Sequence, residues 1–130
     1  MKDPLVLSFD LDDTLWPVAP VIAGAERVLL SWLRERYPRA VNGHSIESMR
    51  ALRAAVGERF PQHAHDLTFL RQRALEELFA AAGHAPHLAD EALEVFFTER
   101  NRVEFYADAR PALERLRRRY RLFALSNGNA

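Results

Sequence analysis

Leu5-Val6-Leu7-Ser8-Phe9 is a short apolar run bounded by Pro4 and an Asp-rich stretch. It is too short for a helix and predicts a buried strand. The period then becomes helical. Val21, Ala25, Val28, Leu29, Trp32 and Leu33 make one apolar face over Pro20 to Tyr37, and Pro38 ends it. Ser45 is the expected N-cap of a second helix, with Ile46, Met49, Leu52 and Val56 inward and Pro61 closing it. Asp66 caps a third, with Leu67, Leu70, Ala74, Leu75, Leu78 and Phe79 inward and Gly83 as the stop. A fourth runs from about Leu88 to Arg102, with Leu88, Ala92, Leu93, Phe96 and Phe97 on one face. Asp108 is the expected cap of a fifth, with Pro111 in its first turn and Leu113, Leu116 and Tyr120 buried. Leu122-Phe123-Ala124-Leu125 predicts a second buried strand, ending at Ser126-Asn127-Gly128.

The order is strand, four helices, one more helix, strand, which predicts an α/β fold. Both apolar runs stop abruptly at residues with chemistry. In open parallel sheets, ligands bind beyond the carboxyl ends of strands, where both polar tips lie.

Composition narrows the function classes. Lys+Arg and Asp+Glu are 18 each, so the net charge is zero and no overall basic field for nucleic acid exists. The absence of cysteine removes disulfides, thiolate-bound metals and thiol catalysis. No apolar stretch is long enough for a membrane span, and Met1-Lys2-Asp3-Pro4 does not open a signal peptide. A cytoplasmic protein with no membrane and no nucleic-acid partner is the expectation.

Asp10-Leu11-Asp12-Asp13-Thr14 sets three carboxylates in four residues at a strand end. Their repulsion calls for compensation, and a divalent cation supplies it. Magnesium prefers one or two carboxylates plus phosphate and water. Asp10 and Asp12 can then share one ligand, with the intervening amides forming an anion-binding nest. One carboxylate attacks phosphorus while the other handles the leaving-group proton. Ser126 hydroxyl and the Asn127 amide offer donors for phosphate oxygens, and face the same pocket if the strands are neighbours.

Four apolar residues, then Asp10-x-Asp12-x-Thr14, then apolar residues ending in Ser126-Asn127, resemble the haloacid dehalogenase superfamily. That resemblance implies a Rossmann-like core with its first two parallel strands present, and an inserted α-helical cap. Core would be 1–19 and 106–130, and cap 20–105. It implies a magnesium-dependent hydrolase of a small phosphorylated metabolite. Asp10 would be nucleophile and metal ligand. Asp12 would be the acid/base, with its carbonyl on the metal. Leu11, Asp12, Thr14, Ser126 and Asn127 would hold phosphate. The superfamily's dehalogenases lack an Asp at the Asp12 position, which favours phosphoryl chemistry. His65-Asp66-Leu67-Thr68, Leu70-Arg71 and Ser126-Asn127-Gly128-Asn129-Ala130 further resemble a bacterial subgroup. Its members include a riboflavin-pathway phosphatase acting on 5-amino-6-(5-phospho-D-ribitylamino)uracil.

The superfamily's third motif, a Lys, and its fourth, an acidic pair, would fall beyond Ala130. The expectation is the front part of a family member, inactive by itself. Alternatives are a non-catalytic phosphate-binding module completed by a C-terminal part, or a sugar-phosphate mutase. Other groups have plainer readings. Asp10 to Thr14 also suits a strand-end turn whose acids cap a helix, and Ser126-Asn127-Gly128 also suits an ordinary turn. Asp13 is structural or solvated, and Trp16 and Pro17 line the pocket mouth or pack. The five histidines default to loop polar residues, with His65 and Asp66 as secondary candidates for substrate contact. Arg115, Arg117, Arg118, Arg119 and Arg121 make a solvated helix face.

Overall fold

The computed structural model describes residues 5–125. The element order is β1 (Val6–Phe9), α1 (Val18–Arg36), α2 (Ile46–Arg59), a 3-10 turn at Pro61–His63, α3 (Leu67–Ala81), α4 (Leu88–Arg100), α5 (Ala109–Leu116) and β2 (Arg121–Ala124). This is the mixed α/β class the pattern predicts. Among the described residues it forms two compact units. One holds the residues up to Val21 and from Arg102 onward, and the other runs from Ile22 to Asn101.

In the strand unit β1 and β2 pair in parallel, with Val6 opposite Arg121 and Phe9 opposite Ala124. The ladder extends past both ends, because Arg121 N–H donates to Leu5 C=O (3.0 Å) and Leu125 N–H to Phe9 C=O (2.8 Å). The first of these bonds draws Arg121 into β2, which starts one residue earlier than the apolar run alone suggests. Neither strand is buried, contrary to expectation, and Leu5, Phe123 and Leu125 are exposed. Two strands cannot cover both of their own faces. On α5 the buried residue is Ala109, while Leu113 and Leu116, and Tyr120 beyond the helix, are half-buried. Asp108 holds the N-cap position but its side chain makes no capping bond. Its backbone is helical (φ −89°, ψ −12°) rather than extended, which turns the carboxylate away from the orphan amides.

The helical unit has one main core. Leu29, Leu30, Leu33, Leu75, Leu78, Phe79, Ala92 and Phe96 pack together, with Tyr37, Met49 and Leu52 against them. Helix starts follow the expected chemistry at two points. Ser45 Oγ accepts from Ser48 N–H, and Ser48 Oγ accepts from Ser45 N–H, a reciprocal capping box. Asp66 Oδ1 accepts from Phe69 N–H at 3.0 Å. The end of α3 is also as expected. Gly83 takes φ +78°, and His84 N–H reaches back to Phe79 C=O while Gly83 N–H reaches Ala80 C=O. This is the pairing of a Schellman stop, which favours glycine at the left-handed position.

Three expectations shift. α1 starts at Val18, because Pro20 in a first turn costs no hydrogen bond. Val28 lies outside the narrow buried stripe of Ala25, Glu26, Leu29, Leu30 and Leu33 and is exposed. Leu67 is exposed too, as the first residue of α3, beyond the packed part of the helix. Among the described residues no helix is long and apolar enough to cross a membrane.

Candidate active site

The site is the loop leaving the carboxyl end of β1. Asp10 follows Phe9 directly and is exposed. Its Oδ1 accepts from Leu11 N–H at 2.9 Å, which orients the carboxylate against its own backbone. An open depression at this tip is lined by Ser8, Phe9, Asp10 and Leu125. The parallel register therefore brings the end of β2 beside Asp10, as neighbouring strands require.

The loop closes on itself. Thr14 and Leu15 N–H both donate to Leu11 C=O (3.2 and 3.0 Å), and Asp13 N–H donates to Trp16 C=O at 2.7 Å. Asp13 sits at φ 61°, a left-handed conformation that Asp tolerates better than most residues. Its Oδ1 accepts from Val18 N–H at 2.9 Å, so this acid caps the start of α1. The helix-capping reading of the acidic run thus holds for Asp13.

Asp12 is half-buried, and its Oδ1 accepts from the Trp16 indole N–H at 3.0 Å. Trp16 in turn meets Phe105 edge-on, with ring centroids 5.4 Å apart, and Arg110 lies over the Phe105 ring at 4.7 Å. Tyr106 N–H ties the same strip of chain to Leu15 C=O at 2.8 Å. A packed aromatic pair thereby fixes the donor that fixes Asp12. Sequence reasoning left Trp16 between pocket lining and packing. The spacing Asp12-x-x-x-Trp16 lies in a loop, where periodicity assigns no partner, so the bond has no sequence signal.

Local donors therefore meet each of the three acids: a backbone amide for Asp10, an indole for Asp12 and a helix start for Asp13. Repulsion within the run does not by itself require a cation. Among the described residues no group of three or more His, Cys, Asp or Glu side chains could hold a metal. Asp10 nonetheless offers an exposed carboxylate, the oxygen donor that a hard cation takes with water and phosphate completing its shell. Thr14 is exposed in the same loop, while Ser126 and Asn127 lie outside the described residues.

The histidines of the helical unit have structural surroundings. His63 stacks on Phe69, His84 meets Tyr37 and Phe79 edge-on, and His44 Nδ1 lies 3.1 Å from Ser48 Oγ. Asp66 is occupied in capping α3, and His65 is exposed.

Comparison with known proteins gives the family. A family model for haloacid dehalogenase-like hydrolases matches residues 5–130. The chain is 35% identical over 128 residues to the 5-amino-6-(5-phospho-D-ribitylamino)uracil phosphatase YigB of Escherichia coli K12, covering 95% of this chain and 53% of that one. A 2-haloacid dehalogenase from Pseudomonas syringae pv. Tomato DC3000 matches with a TM-score of 0.81 and 36% identity, over 98% of this chain and 57% of that one. The fold is also shared with the HAD-hydrolase YfnB of Bacillus subtilis, solved with bound magnesium, at a TM-score of 0.51 and 18% identity, over 99% of this chain and 56% of that one. The chain thus spans a little over half the length of each of these relatives. With the Asp10-x-Asp12-x-Thr14 loop at the end of a parallel strand and the family model matching from Leu5 onward, the chain belongs to the haloacid dehalogenase-like hydrolases.

Proposed function

We propose that this chain carries the nucleophile loop of a phosphomonoester hydrolase acting through an aspartyl-phosphate. The observation that carries this reading is the pairing of unlike carboxylates in one loop. Asp10 is exposed at the strand tip, while Asp12 is half-buried and anchored by Trp16. An attacking group must be accessible, and a proton-transferring group must be held in place.

In the first step an Asp10 carboxylate oxygen bonds to phosphorus as the bond to the leaving oxygen breaks, and Asp12 gives its proton to that oxygen. In the second, water attacks phosphorus and passes a proton to Asp12. The bond to Asp10 breaks, releasing inorganic phosphate and restoring both acids. Leu11, Asp12 and Thr14, with Ser126 and Asn127, are the proposed phosphate contacts. Asp10 and the Asp12 carbonyl would hold magnesium, which when bound offsets the charge of the phosphoryl oxygens. The helical unit, Ile22 to Asn101, is proposed as the cap. The substrate class is a small phosphorylated metabolite. The similarity to YigB supports 5-amino-6-(5-phospho-D-ribitylamino)uracil as the first compound to try.

The test is acid quench of the active enzyme during turnover of a radiolabelled phosphomonoester. Label is expected on the Asp10 peptide, and recovery of label elsewhere or nowhere on the protein refutes the mechanism. A panel of phosphomonoesters that includes the riboflavin-pathway intermediate ranks substrates. A second reading rests on the 36% identity to a 2-haloacid dehalogenase. There Asp10 would displace halide from carbon, and halide release from a 2-haloacid without phosphatase activity would select it.

A further inference from the structure

The helical unit contains a buried cation with no anion of its own. Arg71 on α3 is only 9% exposed, and its guanidinium carbon lies 3.6 Å from the centre of the Phe96 ring. Stacking covers one face of the guanidinium but uses none of its five N–H donors. Among the described residues none of those donors has a hydrogen-bond acceptor. Arg71 lines a cavity of about 40 Å³ between α1, α2 and α3, shared with Arg53, Glu26, Met49, Leu75 and Leu78.

Glu26 is the one carboxylate in that lining, and only one of its two oxygens is hydrogen-bonded. Its Oε2 accepts from Arg50 Nε at 2.9 Å and from a second Arg50 nitrogen. Its Oε1 has only a longer approach from Arg53, at 3.5 Å. Three guanidiniums therefore border the cavity against one carboxylate. Arg50 is half-exposed, so solvent screens it, whereas Arg71 has little solvent. Burial, reinforced by Arg53 and Arg100 and opposed by Glu26, lowers the Arg71 pKa to about 10. The group is still cationic at neutral pH, and the one carboxylate that acts on it, Glu26, is shared with Arg50 and Arg53. Water can fill the donors but cannot supply a counter-charge.

We propose that this cavity is a binding site for a small carboxylate, gripped by the Arg71 fork with Arg53 as the second cation. The planar fork matches a carboxylate with two parallel hydrogen bonds. Met49, Leu75 and Leu78 give apolar walls suited to a short aliphatic remainder. Phosphate, with more charge to desolvate, needs more donors than one fork provides. The site lies wholly in the helical unit and stands apart from the phosphatase reading.

Acetate titrated into the purified protein at constant ionic strength is the test. It is expected to raise Tm saturably and to move the Arg71 Nε–Hε NMR signal, with inorganic phosphate doing neither. R71M is expected to abolish both responses, and R71K to weaken acetate binding at least about tenfold, since an ammonium lacks the fork. Asp10→Asn is expected to leave the acetate response intact, separating this site from the loop. No acetate response in the wild type, an equal response to phosphate, or unweakened binding by R71K overturns the proposal. The wild-type NMR titration and R71K decide the matter even if R71M does not fold.

Discussion

In the helical unit Leu33, Val56, Phe79 and Phe96 are at most 1% exposed, whereas in the strand unit Leu5, Val6, Phe123 and Leu125 are 57–70% exposed. The helical unit holds its shape by close packing of apolar side chains, backed by caps at Ser45 and Asp66 and a glycine stop at Gly83. The strand unit, among its described residues, relies on a short parallel ladder and on loop hydrogen bonds. Yet the acids proposed to act on phosphate lie in the second. Reactive carboxylates need access to ligand and water, and a packed core denies both. The contrast separates the packed part of the described molecule from the part proposed to react.

The sharpest way to break that separation is Asp10→Asn. Turnover of phosphomonoesters is expected to fall by more than about 10⁴-fold, over ~5.5 kcal/mol of transition-state stabilisation. The urea unfolding midpoint should not move, because Asp10 is exposed and, among the described residues, bonded only to its neighbour's amide. Phe79→Ala makes the converse test. It removes a fully buried ring from the main core and should cost about 3–5 kcal/mol in urea unfolding. A loss below ~1 kcal/mol would show that the helical packing is not the stabilising element.

Trp16→Phe sharpens the loop itself. It keeps an aromatic ring against Phe105 and removes the indole donor to Asp12. We expect kcat to drop about tenfold, near 1.4 kcal/mol, with KM and stability little changed. Unchanged kcat would reduce the bond to packing. The smallest effect is expected from Phe123→Ser. The side chain is exposed, so unfolding free energy should change by no more than about 0.5 kcal/mol. A large loss, measured by the same urea titration, would mean that this face is covered in solution.

Much of the helical unit was legible beforehand. Apolar spacing marks its helices, and Ser45, Asp66 and Gly83 act through bonds to residues a few positions away. Local chemistry leaves local marks. The failures have the same logic in reverse. Asp108 looks like a cap, but the cap depends on a backbone angle that sequence does not state. Val28 fits the period, but the width of the buried stripe depends on what packs against α1.

The acidic loop divides along this line. That Asp10, Asp12 and Thr14 follow a short apolar run, and with them the family, is readable from the residues alone, because residues so close in the chain stay close in any fold. That the two runs pair in parallel, that Asp13 serves a helix start and that Trp16 restrains Asp12 emerges with the fold. Those choices depend on contacts such as Trp16 with Phe105, across nearly ninety residues of chain, where periodicity carries no information about partners.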